Sequence, residues 1–126
     1  MAEAIARQMI GAETKFESAG IHAYEGASVT KEAIRAMKRR GIDIRGHRAR
    51  PLDGLDLSCF DLIIALDRMI ADELLYKGVD AAKLLSFDIN DPYGKGFEAY
   101  LEADAAIDRE LRKLFDHPES ASPDEI

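Results

Sequence analysis

The chain has no tryptophan, one cysteine, four prolines and three histidines in 126 residues. The single cysteine, Cys59, excludes an internal disulfide and gives no sign of an oxidising compartment. His22 and His117 have no companion at ligand spacing, and a lone His47 reads as structural, so neither a metal nor a cofactor is expected. No repeat at a fixed period is visible. Long apolar runs are missing too. The longest, Leu62 to Leu66, is far too short to span a bilayer, and no basic-then-apolar leader stands before the first helix. The expectation is a cytoplasmic chain with no membrane partner. Positive charge is in deficit, with 17 Lys and Arg against 24 Asp and Glu and a net charge of -7. That argues against nucleic acid as the main partner, because phosphate binding needs a basic face.

What is present is ordinary globular material. Hydrophobic residues make up 47% and charged residues 33%. The length suits one domain with a real core, taken as residues 1–115, followed by a polar tail over 116–126.

The opening "MAEAIARQMIGAE" has apolar residues at Ala2, Ile5, Ala6, Met9 and Ile10, a helical face. No Ser, Thr, Asp or Asn precedes its first turn as a cap. "KFESAGI" alternates at Phe16 and Ser18 and reads as a short strand ending at Gly20. "HAYEGAS" reads as loop. "SVTKEAIRAMKRRG" reads as a helix capped by Ser28 or Thr30, with a buried stripe of Val29, Ala33, Ile34 and Met37 and a stop at Gly41. "IDIRGHRARPL" starts extended and becomes a basic loop closed by Pro51. "CFDLIIALD" is the best strand, continuously apolar from Leu62 to Leu66, the pattern of a parallel strand covered on both faces. A helix to Gly78, a short strand in "AKLLSF", the turn-rich "DINDPYGKG" and a long helix from Phe97 complete the order. Helices and strands alternate, which predicts an α/β fold with a parallel sheet and helices on both faces. A crossover unit normally begins with a strand, and this order begins with a helix.

Ligands in such sheets bind at the carboxyl ends of the strands, which singles out Ser18–Gly20, Asp67 and the loop from Asp88 to Gly96. Pro92 holds Asp91 extended, so Asp91 can serve as a general acid, although from spacing alone an ordinary Asx-Pro turn is the plainer reading. Asp67 suits a phospho-acceptor or ligand role, or a plain helix cap for the segment starting at Arg68. Cys59 lacks the cations or helix start that would activate a thiol, and reads as a small half-buried hydrophobe. Lys38, Arg39, Arg40, Arg45, His47, Arg48 and Arg50 form a basic set that can attract an anion or simply be solvated.

Taken in order, "MAEAI", "ESAGI", "GIDIRGHRAR", "DLIIALDRM" and "DPYG" resemble the low-molecular-weight protein tyrosine phosphatase family over nearly the whole chain. The single Tyr followed by Gly in "DPYG" is similar to a bacterial branch that includes arginine phosphatase-like and arsenate reductase-like members. The resemblance implies a phosphomonoester hydrolase acting on phosphotyrosine or phosphoarginine, in a phosphorylated protein or a small ester. It implies a phosphocysteine intermediate, with Asp91 as general acid and Tyr93 lining the cleft. Ser18 would support the phosphate loop, and Asp67 is a weaker candidate.

The resemblance also implies that the family's first strand and its Cys-x5-Arg loop stand before the residue matching Met1. The chain is therefore expected to be truncated and inactive as printed, with that strand missing from its sheet. Losing three or four buried apolar side chains costs on the order of 5–10 kcal/mol, so instability or self-association through the incomplete sheet is expected. A non-catalytic binding or interaction module is the alternative. A receiver-like signalling domain with Asp67 as acceptor is a further one, although no early acidic pair supports it.

Overall fold

The computed structural model describes residues 1–11, 14–20, 29–48, 50–52 and 55–115. Its helices are α1 (Ala2–Ile10), α2 (Lys31–Lys38), α3 (Arg68–Tyr76) and α4 (Phe97–Leu114), and its strands are β1 (Ile63–Ala65) and β2 (Leu84–Ser86). These elements fall into two compact units. One holds α1, α2 and α4, and the other holds β1, α3 and β2.

In the helical unit, α1 and α2 both pack against α4. The helix α1 buries Ile5 and Ala6. Thr30 caps α2, its Oγ accepting the Ala33 N–H at 3.2 Å; the alternative cap, Ser28, lies outside the described residues. The buried stripe of α2 is Ala33, Ala36 and Met37, while Val29 and Ile34 are only partly covered. The small Ala36 is fully buried, which sets the stripe slightly round from the expected one and permits close helix contact. Along α4 the buried positions are Tyr100, Ala103, Ile107 and Leu111, a three-to-four spacing that faces one side.

In the second unit, β1 and β2 pair in parallel with Ile63 opposite Leu84 and Ala65 opposite Ser86. The ladder runs on past the strands, since Phe87 N–H bonds Ala65 O at 2.8 Å and Ile89 N–H bonds Leu66 O at 2.9 Å. The helix α3 covers this pair. Its core is Ala65, Ala71 and Leu74, with Leu52, Leu57, Ile63, Ile70, Val79 and Leu84 packed around. Gly78 ends α3 at φ 96, a conformation that favours glycine. Gly78 N–H bonds Leu75 O and Val79 N–H bonds Leu74 O, both at 3.0 Å, the paired bonds of a Schellman stop.

Three expectations need correction. The segment 15–20 is not a strand. Within 15–20 only Gly20 bridges, to Pro51, and the Phe16 carbonyl accepts from the Arg7 guanidinium at 2.7 Å rather than from a neighbouring strand. The run from Leu62 to Leu66 is strand only at Ile63–Ala65, and Leu62 is exposed. Cys59 is exposed rather than half-buried. It sits in a single 3₁₀ turn, Leu57–Cys59, from which only Leu57 joins the core. The polar tail, 116–126, and the loop 22–28 lie outside the described residues.

Candidate active site

Asp67 leaves the carboxyl end of β1 and caps α3, its Oδ1 accepting the Ile70 N–H at 2.8 Å. Of the two roles open to Asp67, the cap is therefore occupied. β2 continues as an extended arm in which Phe87 and Ile89 are buried while Asp88 and Asn90 face out. Because Ile89 bonds the residue before Asp67, the arm leading to Asp91 leaves the sheet at the same end as Asp67. Asp91 itself is exposed.

Tyr93 follows in a tight turn, closed by Lys95 N–H to Pro92 O at 3.0 Å. Gly94 supplies φ 76 at its third position, as such a turn demands. Tyr93 is 71% exposed, and α4 starts just after, at Phe97.

Ser18 is held by α1. Its Oγ donates to Glu3 Oε1 at 2.6 Å. Glu3 Oε2 pairs with Arg7 at 2.8 Å, and Arg7 reaches the Phe16 carbonyl. Glu3 and Arg7 also line an open groove of about 460 Å³ with Gln8, Ile44 and His47. Glu3 and Arg7 are absent from the candidates read from sequence. Their i,i+4 spacing on α1 is the signal available there, but nothing local joins them to Ser18.

Of the basic set, Arg40 and Arg45 are spent on carboxylates. Arg40 bonds Asp104 and Asp108. Burial works against the charge of Arg40, but those hydrogen bonds outweigh it and raise its pKa. Arg45 chelates exposed Asp43 through side chain and backbone, holding that carboxyl down to about 2. Cys59 Sγ lies 3.4 Å from Asp56 Oδ2. Ser58, its backbone N–H and Cys59 all bond Asp56 and lower its pKa. A carboxylate beside a thiol disfavours the thiolate, so this is no setting for a nucleophile. Among the described residues no cluster of His, Cys, Asp and Glu could hold a metal. No described helix is long and apolar enough to cross a membrane.

A parallel pair followed at its carboxyl end by Asp67 and by the arm to Asp91 is an α/β arrangement of the type that binds ligands at that edge. The chain belongs to the family described as Low molecular weight phosphotyrosine protein phosphatase, whose profile matches residues 1–122. It is 34% identical over 116 residues to the probable low molecular weight protein-tyrosine-phosphatase EpsP of Ralstonia nicotianae, covering 86% of this chain and 79% of that one. It is 30% identical over 117 residues to arsenate reductase 2 of Staphylococcus saprophyticus, covering 93% and 86%. Among solved structures, the low molecular weight protein tyrosine phosphatase from T. tengcongensis superposes with a TM-score of 0.82 at 29% identity, covering 93% and 88%. The fold is that of the low-molecular-weight phosphatases.

Proposed function

We propose that these residues form the body of a phosphomonoester hydrolase that works through a phosphocysteine, with Asp91 as its general acid. The observation that carries this is Asp91 itself, exposed on the arm that leaves the carboxyl end of the parallel sheet, in a chain belonging to this family. In the first step a thiolate attacks phosphorus as the P–O bond of an ester, or the P–N bond of phosphoarginine, breaks, and the departing oxygen or nitrogen takes the Asp91 proton. In the second, the Asp91 carboxylate takes a proton from water as that water attacks the phosphocysteine and frees inorganic phosphate. Tyr93 supplies an aromatic wall for the substrate. Ser18 supports the phosphate-binding loop by hydrogen bonding. Substrates of this class are phosphotyrosine or phosphoarginine in a protein, or a small phosphomonoester. The setting is the cytoplasm, which suits a lone exposed thiol at Cys59.

A second reading rests on one fact. The 126 residues contain no Cys-x5-Arg, since Ala65 stands where Cys59 would need its arginine. By themselves they supply acid and cleft without nucleophile or clamp, and are proposed to be non-catalytic, binding a partner or associating through the two-stranded sheet.

The experiment is to purify the protein from its native locus, determine its intact mass and terminal sequence, and assay it on phosphotyrosine and phosphoarginine peptides. Residues before Met1 carrying Cys-x5-Arg, together with turnover, support the hydrolase. A protein beginning at Met1 without turnover overturns it in favour of the second reading.

A further inference from the structure

Residues 15–19 have no ladder, yet they are tied to α1 by a closed set of polar contacts. Ser18 Oγ donates to Glu3 Oε1 at 2.6 Å, a length typical of a charge-assisted O–H bond. The other carboxylate oxygen faces Arg7 Nη2 at 2.8 Å. The same Arg7 nitrogen donates to the Phe16 carbonyl at 2.7 Å. The circuit closes on itself through Phe16, Glu17 and Ser18. The Glu3 side chain is only 17% exposed, so both carboxylate contacts are partly shielded from water.

A hydroxyl has one proton. Ser18 spends it on Glu3, which leaves the Ser18 oxygen with acceptor capacity alone. Whatever Ser18 supports must therefore be a donor, such as a backbone N–H, and not an anionic oxygen. Without Glu3 the same hydroxyl would be free to rotate and donate.

We propose that Glu3 is a positioning residue for the phosphate site: it fixes the Ser18 hydroxyl as an acceptor, and Arg7 holds Glu3 and the Phe16 carbonyl in place while it does so. This rests on the hydrolase reading above. Glu3 touches neither substrate nor reacting atoms and acts through Ser18.

The test is a double-mutant cycle on the protein purified from its native locus, with p-nitrophenyl phosphate as probe. Ser18→Ala and Glu3→Ala are each expected to lower kcat on the order of tenfold to a hundredfold with KM little changed. The double variant is expected to be no worse than the weaker single. Glu3→Gln, which keeps an oxygen for Ser18, is expected to retain more activity than Glu3→Ala. Multiplying kcat effects, an equal loss in Glu3→Gln and Glu3→Ala, or single variants as active as the parent overturn the proposal. A parent protein without activity on any phosphate ester sinks the hydrolase reading, and this proposal with it. An active parent with a multiplicative cycle sinks this proposal alone.

Discussion

Arg40 and Asp104 stand 64 positions apart in the sequence and meet through Nε and Oδ1 at 2.6 Å. The same guanidinium reaches Asp108, one turn along α4, at 2.7 Å. Arg112 takes the other oxygen of Asp108 at 2.6 Å, and Gln8 of α1 donates to the Arg40 carbonyl at 2.9 Å. One residue just after α2 thus touches both other helices of its unit.

Replacing Arg40 with Ala leaves two carboxylates one turn apart without their shared partner. With each of these side chains at 20% exposure or less, the cost after solvent screening is about 1–3 kcal/mol. Urea unfolding is expected to show a lower midpoint at unchanged slope. A midpoint equal to the parent's would mean the node contributes nothing.

The same node gives a pH signature. Burial raises the Asp108 pKa, but the hydrogen bonds from Arg40 and Arg112 outweigh it and leave the carboxyl below its ordinary value. A depressed folded pKa contributes stability that is present above the unfolded value, about 3.9, and is lost as pH falls through the folded value. The stability gap between the parent and Asp108→Asn is therefore expected to be full at neutral pH and to close below about pH 4. A gap that widens on acidification contradicts the assignment.

Asp67→Ala removes the cap of α3 and is expected to cost about 1 kcal/mol, whereas Asp67→Asn keeps an oxygen for Ile70 N–H and costs less. Thermal unfolding of the two variants distinguishes them. Equal losses would show that charge, not capping, is what Asp67 supplies.

Gly94→Ala meets no atom within 4 Å, so any effect comes from the backbone at φ 76. The expected cost is about 1 kcal/mol. In a catalytically active form, kcat should fall with it, because the turn follows Asp91 directly. A neutral substitution would show that the turn relaxes freely.

How far the sequence discloses this molecule depends on separation along the chain. Gly41 and Gly78 stop their helices as their positions suggest, because helix stops are local. The apolar run around Ile63 pairs in parallel with Leu84–Ser86, since a continuous apolar strand between helices leaves little other choice. Phe16 and Ser18 misled because alternation reports exposure, not pairing, and the Phe16 carbonyl found Arg7 instead of a strand. Cys59 misled because its place at the start of "CFDLIIALD" says nothing about which way a 3₁₀ turn faces. Glu3 with Ser18 and Arg40 with Asp104 stayed hidden, being pairs that only the folded chain brings together. Asp91 and Tyr93 were legible as residues of a turn-rich loop; the cleft role proposed for Tyr93 comes from family resemblance alone.

The most direct test of the central claim is the leaving-group dependence of kcat/KM for Asp91→Asn, in the protein made from its native locus. A general acid matters most for a basic leaving group, such as the phenol of tyrosine with its pKa of about 10. The account predicts a loss on the order of 10²–10⁴ with phenyl phosphate and a much smaller loss with the more acidic p-nitrophenol as leaving group. Equal losses for the two esters, or none, would contradict Asp91 as the acid.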